Sequence, residues 1–276
     1  MKTFLIPVDF SDVSYTAAQY AIDLAGHVRA RNVIFYHSYA HRPPDRFDEH
    51  TGYQSPSLRH LKKMAAKLRV PANLSTDGFV FITDDKPVEA GVEAIVDQYA
   101  VSLIVMGIAG LSDIENTLIG HNTMAVAESG VAPLLIVPRD HSFKPISNLV
   151  YATDLRDVRH VTPVESIIRL TSQLTASLHI VHVDPATRGQ TPDKIQGKDE
   201  LLGMLGAVDP LFKVVSEARD KADGIFEYVK TNQIDLILMA SRNYSFFERL
   251  VRSSVSKKLL NIADVPVVLL KNKPVG

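Results

Sequence analysis

The sequence predicts an α/β protein made of two tandem domains, each an open parallel β-sheet covered by helices on both faces. Three observations support this fold class: an internal repeat along the chain, an alternation of short apolar runs with helical periodicity, and a length of 276 residues, which suits two domains. The composition, 46% hydrophobic and 22% charged, is typical of globular proteins. The chain is therefore expected to form two packed domains.

The repeat consists of motifs that recur at a fixed spacing. Residues 145 positions apart match in three pairs, which are Asp9 and Asp154, Asp12 and Asp157, and His37 and His182. Further along, the spacing falls to 133 residues, as between Met106 and Met239, so the second copy is twelve residues shorter in its middle. The first copy carries there a polar stretch, 41–57, that is predicted to be a surface loop. The repeat predicts domains at 1–143 and 144–276.

Five short apolar runs of the first copy are predicted to be strands buried on both faces, because they have strand length and lack polar alternation. They cover residues 4–8, 33–36, 80–82, 103–106 and 134–137. Between them, apolar residues recur at helical spacing within 17–28, 58–68 and 92–99. Ser11 is the predicted N-cap of the first helix, and Pro87 suits the start of the third. This alternation favours right-handed crossovers and a parallel sheet.

Charge and residue usage narrow the possible functions. The 30 Lys and Arg residues nearly balance 31 Asp and Glu residues, so no partner such as nucleic acid or a membrane surface is expected. The absence of cysteine excludes disulfides and thiolate metal sites and favours a reducing cytoplasm. The longest apolar run, 103–111, is too short to span a bilayer, and the one at the N-terminus is too short for a signal peptide.

A ligand site is expected where the first and fourth strands end, because open parallel sheets bind ligands beyond the carboxyl ends of their strands. Asp9 follows the first strand and offers a carboxylate to a ribose hydroxyl or a base amino group. It equally suits the start of a helix, where the dipole stabilises a negative charge. Gly107 and Gly110 follow the fourth strand, and Gly120 precedes a helix. Glycines allow a phosphate to approach the backbone, although turns explain them more simply.

Together, Asp9, the glycine spacing and the final apolar run, 131–138, resemble the universal stress protein family. That family pairs an aspartate after strand one with Gly-x2-Gly-x9-Gly-[Ser/Thr] after strand four. The resemblance covers both halves of the chain. It implies two tandem Rossmann-like domains (adenine nucleotide alpha hydrolase-like) with strand order 3-2-1-4-5, a stress-associated regulatory role, dimerisation and, in one branch of the family, ATP or AMP binding. The cofactor-binding residues that it implies here are Asp9, Gly107, Gly110, Gly120, His121, Asn122 and Thr123.

Two departures from the family pattern bear on binding. His121 stands where the ATP-binding branch has Ser or Thr, and its larger side chain either donates to a phosphate or obstructs it. In the second copy the three glycine positions hold Ala240, Asn243 and Ser253, and only Asp154 is retained. We therefore expect a degenerate motif in the second domain, where Ser253 and Ser254 still offer a helix start to a small anion.

Three functional interpretations remain open. The first is a nucleotide-sensing regulatory protein without enzymatic activity, and the second is an interaction scaffold with both sites empty, which His121 favours. The third, an enzyme such as an adenylyltransferase, lacks its His-x-Gly-His type motif, and neither a Walker A motif nor a hydrolase elbow is present. No metal site is expected, because His37 and His182 recur at equivalent strand ends and are more simply structural.

The family's habit of dimerising through the last strand implies a partner arrangement. The apolar strand at 134–137 would form an exposed edge unless it is paired. The second copy supplies an equivalent strand at 267–270. The resemblance therefore implies that the two domains pair within one chain as a pseudo-dimer, and a homodimer of chains is a further possibility.

Overall fold

The computed structural model describes residues 2–40, 56–108, 120–184, 191–216, 218, 221–240 and 265–271. The chain divides into two compact units, Met1–Phe143 and Lys144–Gly276. Each unit is an α/β structure built on a parallel sheet.

The first unit alternates strands and helices along the chain. Its elements are β1 (Thr3–Pro7), α1 (Asp12–His27), β2 (Asn32–Ser38), α2 (Pro56–Ala65), β3 (Phe79–Asp84), α3 (Val88–Tyr99), β4 (Leu103–Ile108), α4 (His121–Ser129) and β5 (Leu134–Pro138). The strands are all parallel and lie in the order β3-β2-β1-β4-β5. This is the predicted 3-2-1-4-5 order, and it places the carboxyl ends of β1 and β4 side by side.

The core of the first unit centres on β1. Phe4, Leu5 and Ile6 are fully buried, since β1 has a strand on each side and helices above and below the sheet. Helix α1 begins as predicted, because the Ser11 side chain accepts a hydrogen bond from the Ser14 amide and caps the helix. An apolar face made mostly of alanines then lets α1 lie close to the sheet.

Two details around α2 differ from the sequence prediction. Residues 41–55 of the predicted surface loop lie outside the described residues, but Pro56 and Ser57 belong to α2 rather than to a loop. The helix also ends at Ala65, so Leu68 lies beyond it. Leu68 is nevertheless buried, which explains its apolar character without helical periodicity.

The second unit repeats this arrangement. Its elements are β6 (Asn148–Ala152), α5 (Val158–Val161), α6 (Val164–Leu174), β7 (Ser177–Val183), α7 (Pro192–Leu205), β8 (Leu211–Val215), α8 (Lys221–Thr231), β9 (Leu236–Ala240) and β10 (Val267–Leu270). The strands are again parallel, in the order β8-β7-β6-β9-β10. Within the unit this is the same 3-2-1-4-5 order.

The first helix differs between the two units. Where α1 is continuous, the second unit has the short α5, then Thr162 and Pro163, then α6. Pro163 occupies the position equivalent to Ala18, in the middle of α1. A proline cannot donate a backbone hydrogen bond and its ring clashes with the preceding turn, so the helix breaks there. Within the described residues, no helix is long and apolar enough to cross a membrane.

Candidate functional site

A cavity of about 410 Å³ opens at the carboxyl ends of β1 and β4 in the first unit. Its volume lies within the roughly 300–1,000 Å³ of small-molecule pockets. Six of the predicted site residues line it, namely Asp9, Gly107, Gly120, His121, Asn122 and Thr123. Gly110, the seventh, lies outside the described residues. The fold thus brings together residues that are more than one hundred positions apart in the sequence.

Asp9 occupies a tight turn between β1 and α1. Its Oδ1 accepts hydrogen bonds from the Ser11 amide at 3.0 Å and from the Ser11 hydroxyl at 2.6 Å. Partial desolvation raises the pKa of Asp9, but the bonds from Ser11 and from the Ser14 hydroxyl outweigh it and hold the pKa below its ordinary value. Asp9 is therefore an ionised, exposed carboxylate whose orientation is already set by the turn.

The same turn recurs in the second unit. Oδ1 of Asp154 accepts a hydrogen bond from the amide of Arg156 at 3.0 Å, as Asp9 does from Ser11. The residue after each aspartate has left-handed backbone torsions, with φ of 67° at Phe10 and 59° at Leu155. Side chains avoid this region, so the turn needs support from its surroundings. The aspartate shared by the two copies thus has a local structural role in both.

His37 and His182 supply part of that support. Nδ1 of His37 lies 2.8 Å from the carbonyl oxygen of Val8, and Nδ1 of His182 lies 3.0 Å from that of Thr153. Both rings are buried. These equivalent contacts give both histidines a structural role in the two units. Among the residues that the structure describes, no group of three or more side chains could hold a metal ion.

Gly107 is required first by packing. A Cβ atom built at Gly107 would lie 2.6 Å from the carbonyl oxygen and 2.6 Å from Cγ1 of Val13 in α1. The absence of a side chain therefore lets α1 approach β4, a role that the sequence analysis did not foresee. The equivalent residue of the second unit is Ala240, and there the facing helix is interrupted.

Gly120 differs, because among the described residues no contact requires a glycine there. It is the N-cap residue of α4, with φ of −59° and ψ of 142°, torsions open to any residue. A Cβ at this position would meet only the Thr123 hydroxyl, at 3.9 Å. Gly120 therefore leaves open space beside the cavity, next to the start of a helix whose first amides have no partner within the helix.

The first turn of α4 presents three polar side chains to the cavity. His121 and Asn122 are exposed, while Thr123 is buried. His121 is the first residue of the helix, as the sequence analysis placed it. Gly120, the N-cap residue, has no side chain with which to cap this helix start. The first turn of α4, which lines the cavity, therefore carries the positive end of the helix dipole.

Sequence reasoning missed the residues that line the cavity from β2 and α3. These are Tyr36, Ser38 and Val88. The Tyr36 hydroxyl donates to Oδ1 of Asp84 at 2.7 Å, and burial together with that carboxylate raises the pKa of Tyr36. Gly91 makes room for this hydroxyl, since a Cβ there would overlap it. Tyr36 and Ser38 lie at the carboxyl end of β2, beside β1. That position along the sequence is the signal that could have identified them.

The degenerate motif of the second copy remains a prediction from the sequence. Asp154 and Ala240 are described, whereas Asn243, Ser253 and Ser254 lie outside the described residues. The structure describes the aspartate turn of this unit but not the segment after β9 that would complete a site.

Comparisons with known proteins agree with this fold. The model of the universal stress protein family matches residues 1–138 and again residues 145–271. The comparison with curated proteins gave no match. Among solved structures, the chain is similar to a universal stress protein from Archaeoglobus fulgidus DSM 4304, with 17% identity, a TM-score of 0.62 and 98% of each chain covered.

Two further structures extend this comparison. A functionally unknown protein from Pseudomonas aeruginosa PAO1 has 12% identity and a TM-score of 0.56, with 99% of this chain and 93% of that chain covered. A universal stress protein from Archaeoglobus fulgidus, solved in complex with dAMP, has 15% identity and a TM-score of 0.33, with 47% of this chain and 100% of that chain covered. Since the family model matches nearly the whole chain in two successive copies, the chain belongs to the universal stress protein family as a tandem two-domain member.

Proposed function

We propose that this protein is a stress-response regulator that binds an adenine nucleotide, AMP or ATP, in its first unit and acts by binding rather than by catalysis. One observation carries the proposal: six residues predicted as ligand contacts from the sequence line a single cavity at the switch between β1 and β4. In open parallel sheets this is the position where nucleotides bind.

Each end of the cavity suits a different part of a nucleotide. Asp9 is an ionised carboxylate, which accepts hydrogen bonds from ribose hydroxyls or from a base amino group. The start of α4, with Gly120 and the side chains of His121 and Thr123, suits a phosphate, because helix N-termini bind anions. Val88 and Met106 add apolar surface for a base.

The second unit is proposed not to bind nucleotide. Ala240 stands in place of Gly107, and the sequence places Asn243 and Ser253 where the family has glycines. Side chains at the positions of Asn243 and Ser253 occupy space that a phosphate needs beside the backbone. The pairing of the two units through β5 and β10, and a cytoplasmic location, are further proposals that rest on the family resemblance and the sequence.

The test combines ligand identification with a matched pair of variants. Mass spectrometry of the purified protein would identify a bound nucleotide, and thermal unfolding with AMP or ATP would measure binding. At 100 times its dissociation constant, a ligand stabilises the folded protein by roughly 2.7 kcal/mol. Gly120→Val should abolish the thermal shift while lowering the melting temperature of the free protein only slightly, because its side chain meets open space among the described residues and valine is merely a poorer N-cap than glycine.

Ser253→Val, the same new side chain at the equivalent position of the second copy, should leave the shift intact. If no nucleotide co-purifies and millimolar AMP and ATP cause no shift, the binding proposal fails. An interaction scaffold with both sites closed would then be the better interpretation, and His121 is the feature that favours it.

A further inference from the structure

The cavity has an unusual charge for a phosphate site. Among the lining residues that the structure describes there is no lysine or arginine, and Asp9 contributes a negative charge. The ionised Asp9 opposes the entry of a phosphate group, and a positive charge within the cavity would offset that repulsion.

His121 is the single lining side chain in the described part of the chain that can supply that charge. The charged residues of the elements packed against α4 are all acidic. Helix α3 carries Glu89, Glu93 and Asp97, β4 carries no charged residue, and α4 itself carries Glu128 at its far end. Lys86, in the segment before α3, is exposed and is not among the lining residues.

We propose, as an extension of the function proposed above, that protonated His121 is the residue that admits a phosphate to this cavity. With His121 charged, the site binds a nucleoside monophosphate; with His121 neutral, it no longer distinguishes that ligand from the unphosphorylated nucleoside. A hydrogen bond from a charged donor is roughly twice as strong as a neutral one, and the positive end of α4 adds to it.

This inference makes binding dependent on acidity. A histidine ordinarily changes its charge between pH 5 and 8, whereas the Ser or Thr of the family's ATP-binding branch is a donor at every pH. The substitution at position 121 would thus convert a constant phosphate site into one that responds to pH.

Calorimetric titration of the full chain with AMP and with adenosine, at pH 5.5 and pH 8.0 and equal ionic strength, tests the inference. For the wild-type protein, AMP affinity is expected to fall about tenfold or more between these pH values, and adenosine affinity to stay constant. His121→Lys keeps a positive charge and should bind AMP at pH 8.0 at least as tightly as at pH 5.5. His121→Gln should bind AMP weakly at both.

The phosphate of AMP also gains negative charge as the pH rises. The wild-type protein and His121→Lys share this effect, so the ratio of their AMP affinities reports the contribution of the histidine alone. His27→Gln is the matched control, because His27 is exposed at the end of α1 remote from the cavity. It should follow the wild-type profile.

The outcomes separate the inference from the proposed function. A ratio of wild-type to His121→Lys affinity for AMP that is the same at both pH values, or AMP binding that survives His121→Gln unchanged, would overturn the role of His121 and leave nucleotide binding in place. Failure of both AMP and adenosine to bind at either pH would overturn the proposed function, and the inference with it. Unfolding curves of the variants confirm that each is folded.

Discussion

The Nδ1 atom of His37 lies 2.8 Å from the carbonyl oxygen of Val8. Because a carbonyl can only accept, Nδ1 must carry the hydrogen, which fixes the protonation of this nitrogen. The contact ties the end of β1 to the neighbouring strand β2, immediately before the Asp9 turn. The equivalent contact of His182 with Thr153 explains why both copies retain a histidine here, even though the second copy has lost the glycine motif.

Removing this contact should destabilise the first unit. His37→Phe keeps a ring beside Phe10 but leaves the buried Val8 carbonyl without this donor, and we expect a loss of about 1–3 kcal/mol in the free energy of unfolding. Urea denaturation measures it. His60→Phe makes the same change at an exposed position of α2 and should stay within roughly 0.5 kcal/mol. Equal stabilities for the two variants would show that the contact is unimportant.

The same substitution to alanine should destabilise the protein more at Gly107 than at Gly120. Gly107→Ala places a Cβ 2.6 Å from a backbone oxygen of Val13, so α1 must move, and a cost of roughly 1–3 kcal/mol is expected. Among the described residues Gly120→Ala meets only the Thr123 hydroxyl, at 3.9 Å, so it should cost no more than the loss of a good N-cap residue, about 0.5–1 kcal/mol. Thermal unfolding of both variants without ligand gives the comparison. A neutral Gly107→Ala would mean that packing does not require this glycine.

The stability of the second unit should fall in mild acid because of His182. Burial lowers the pKa of His182, helped by Lys194 and Lys221 and opposed by the Thr153 hydrogen bond and Asp184. The unfolded chain therefore takes up a proton more readily, so this contribution to stability is complete above about pH 6.5 and is lost as the pH falls toward the lowered pKa. His179, also buried with a lowered pKa, acts in the same direction.

His182→Asn tests this pH dependence, since an asparagine amide can replace the Nδ1 donor but does not titrate. Between pH 7 and pH 5 the melting temperature of the variant should fall less than that of the wild-type protein. Parallel declines would show that His182 does not contribute to the acid sensitivity.

Asp9 should stabilise the first unit at neutral pH even without ligand. Its pKa lies below the ordinary value, so the ionised carboxylate favours the folded state above about pH 4, and that advantage is lost as the pH falls further. Asp9→Asn should accordingly lower the stability at pH 7 and make little difference near pH 3. Chemical denaturation at the two pH values measures the change. A difference that grows on acidification would contradict the assignment.

Much of this architecture follows from the sequence by itself. The N-cap at Ser11 and the helix start at Gly120 were predicted correctly, since they depend on short-range rules: helical periodicity and the residues that satisfy free helix amides. The strand order within each unit, also correct, was implied by the resemblance to the family and not by these rules. Six candidate ligand residues also line one cavity, because the topology of a parallel sheet places its strand ends together.

The tertiary structure decided what several of these residues do. Gly107 faces Val13, Asp9 closes a turn onto Ser11, and the Tyr36 hydroxyl reaches the cavity wall beside Gly91. The contacts of Gly107 and Tyr36 join atoms from segments distant in the chain, whose approach depends on how helices pack on the sheet. The Asp9 turn is local, but its left-handed residue is held by a histidine on the next strand. Hydrophobic periodicity carries no information about such distances. The sequence indicated where a ligand could bind, whereas packing determined which of these candidate residues the fold itself requires.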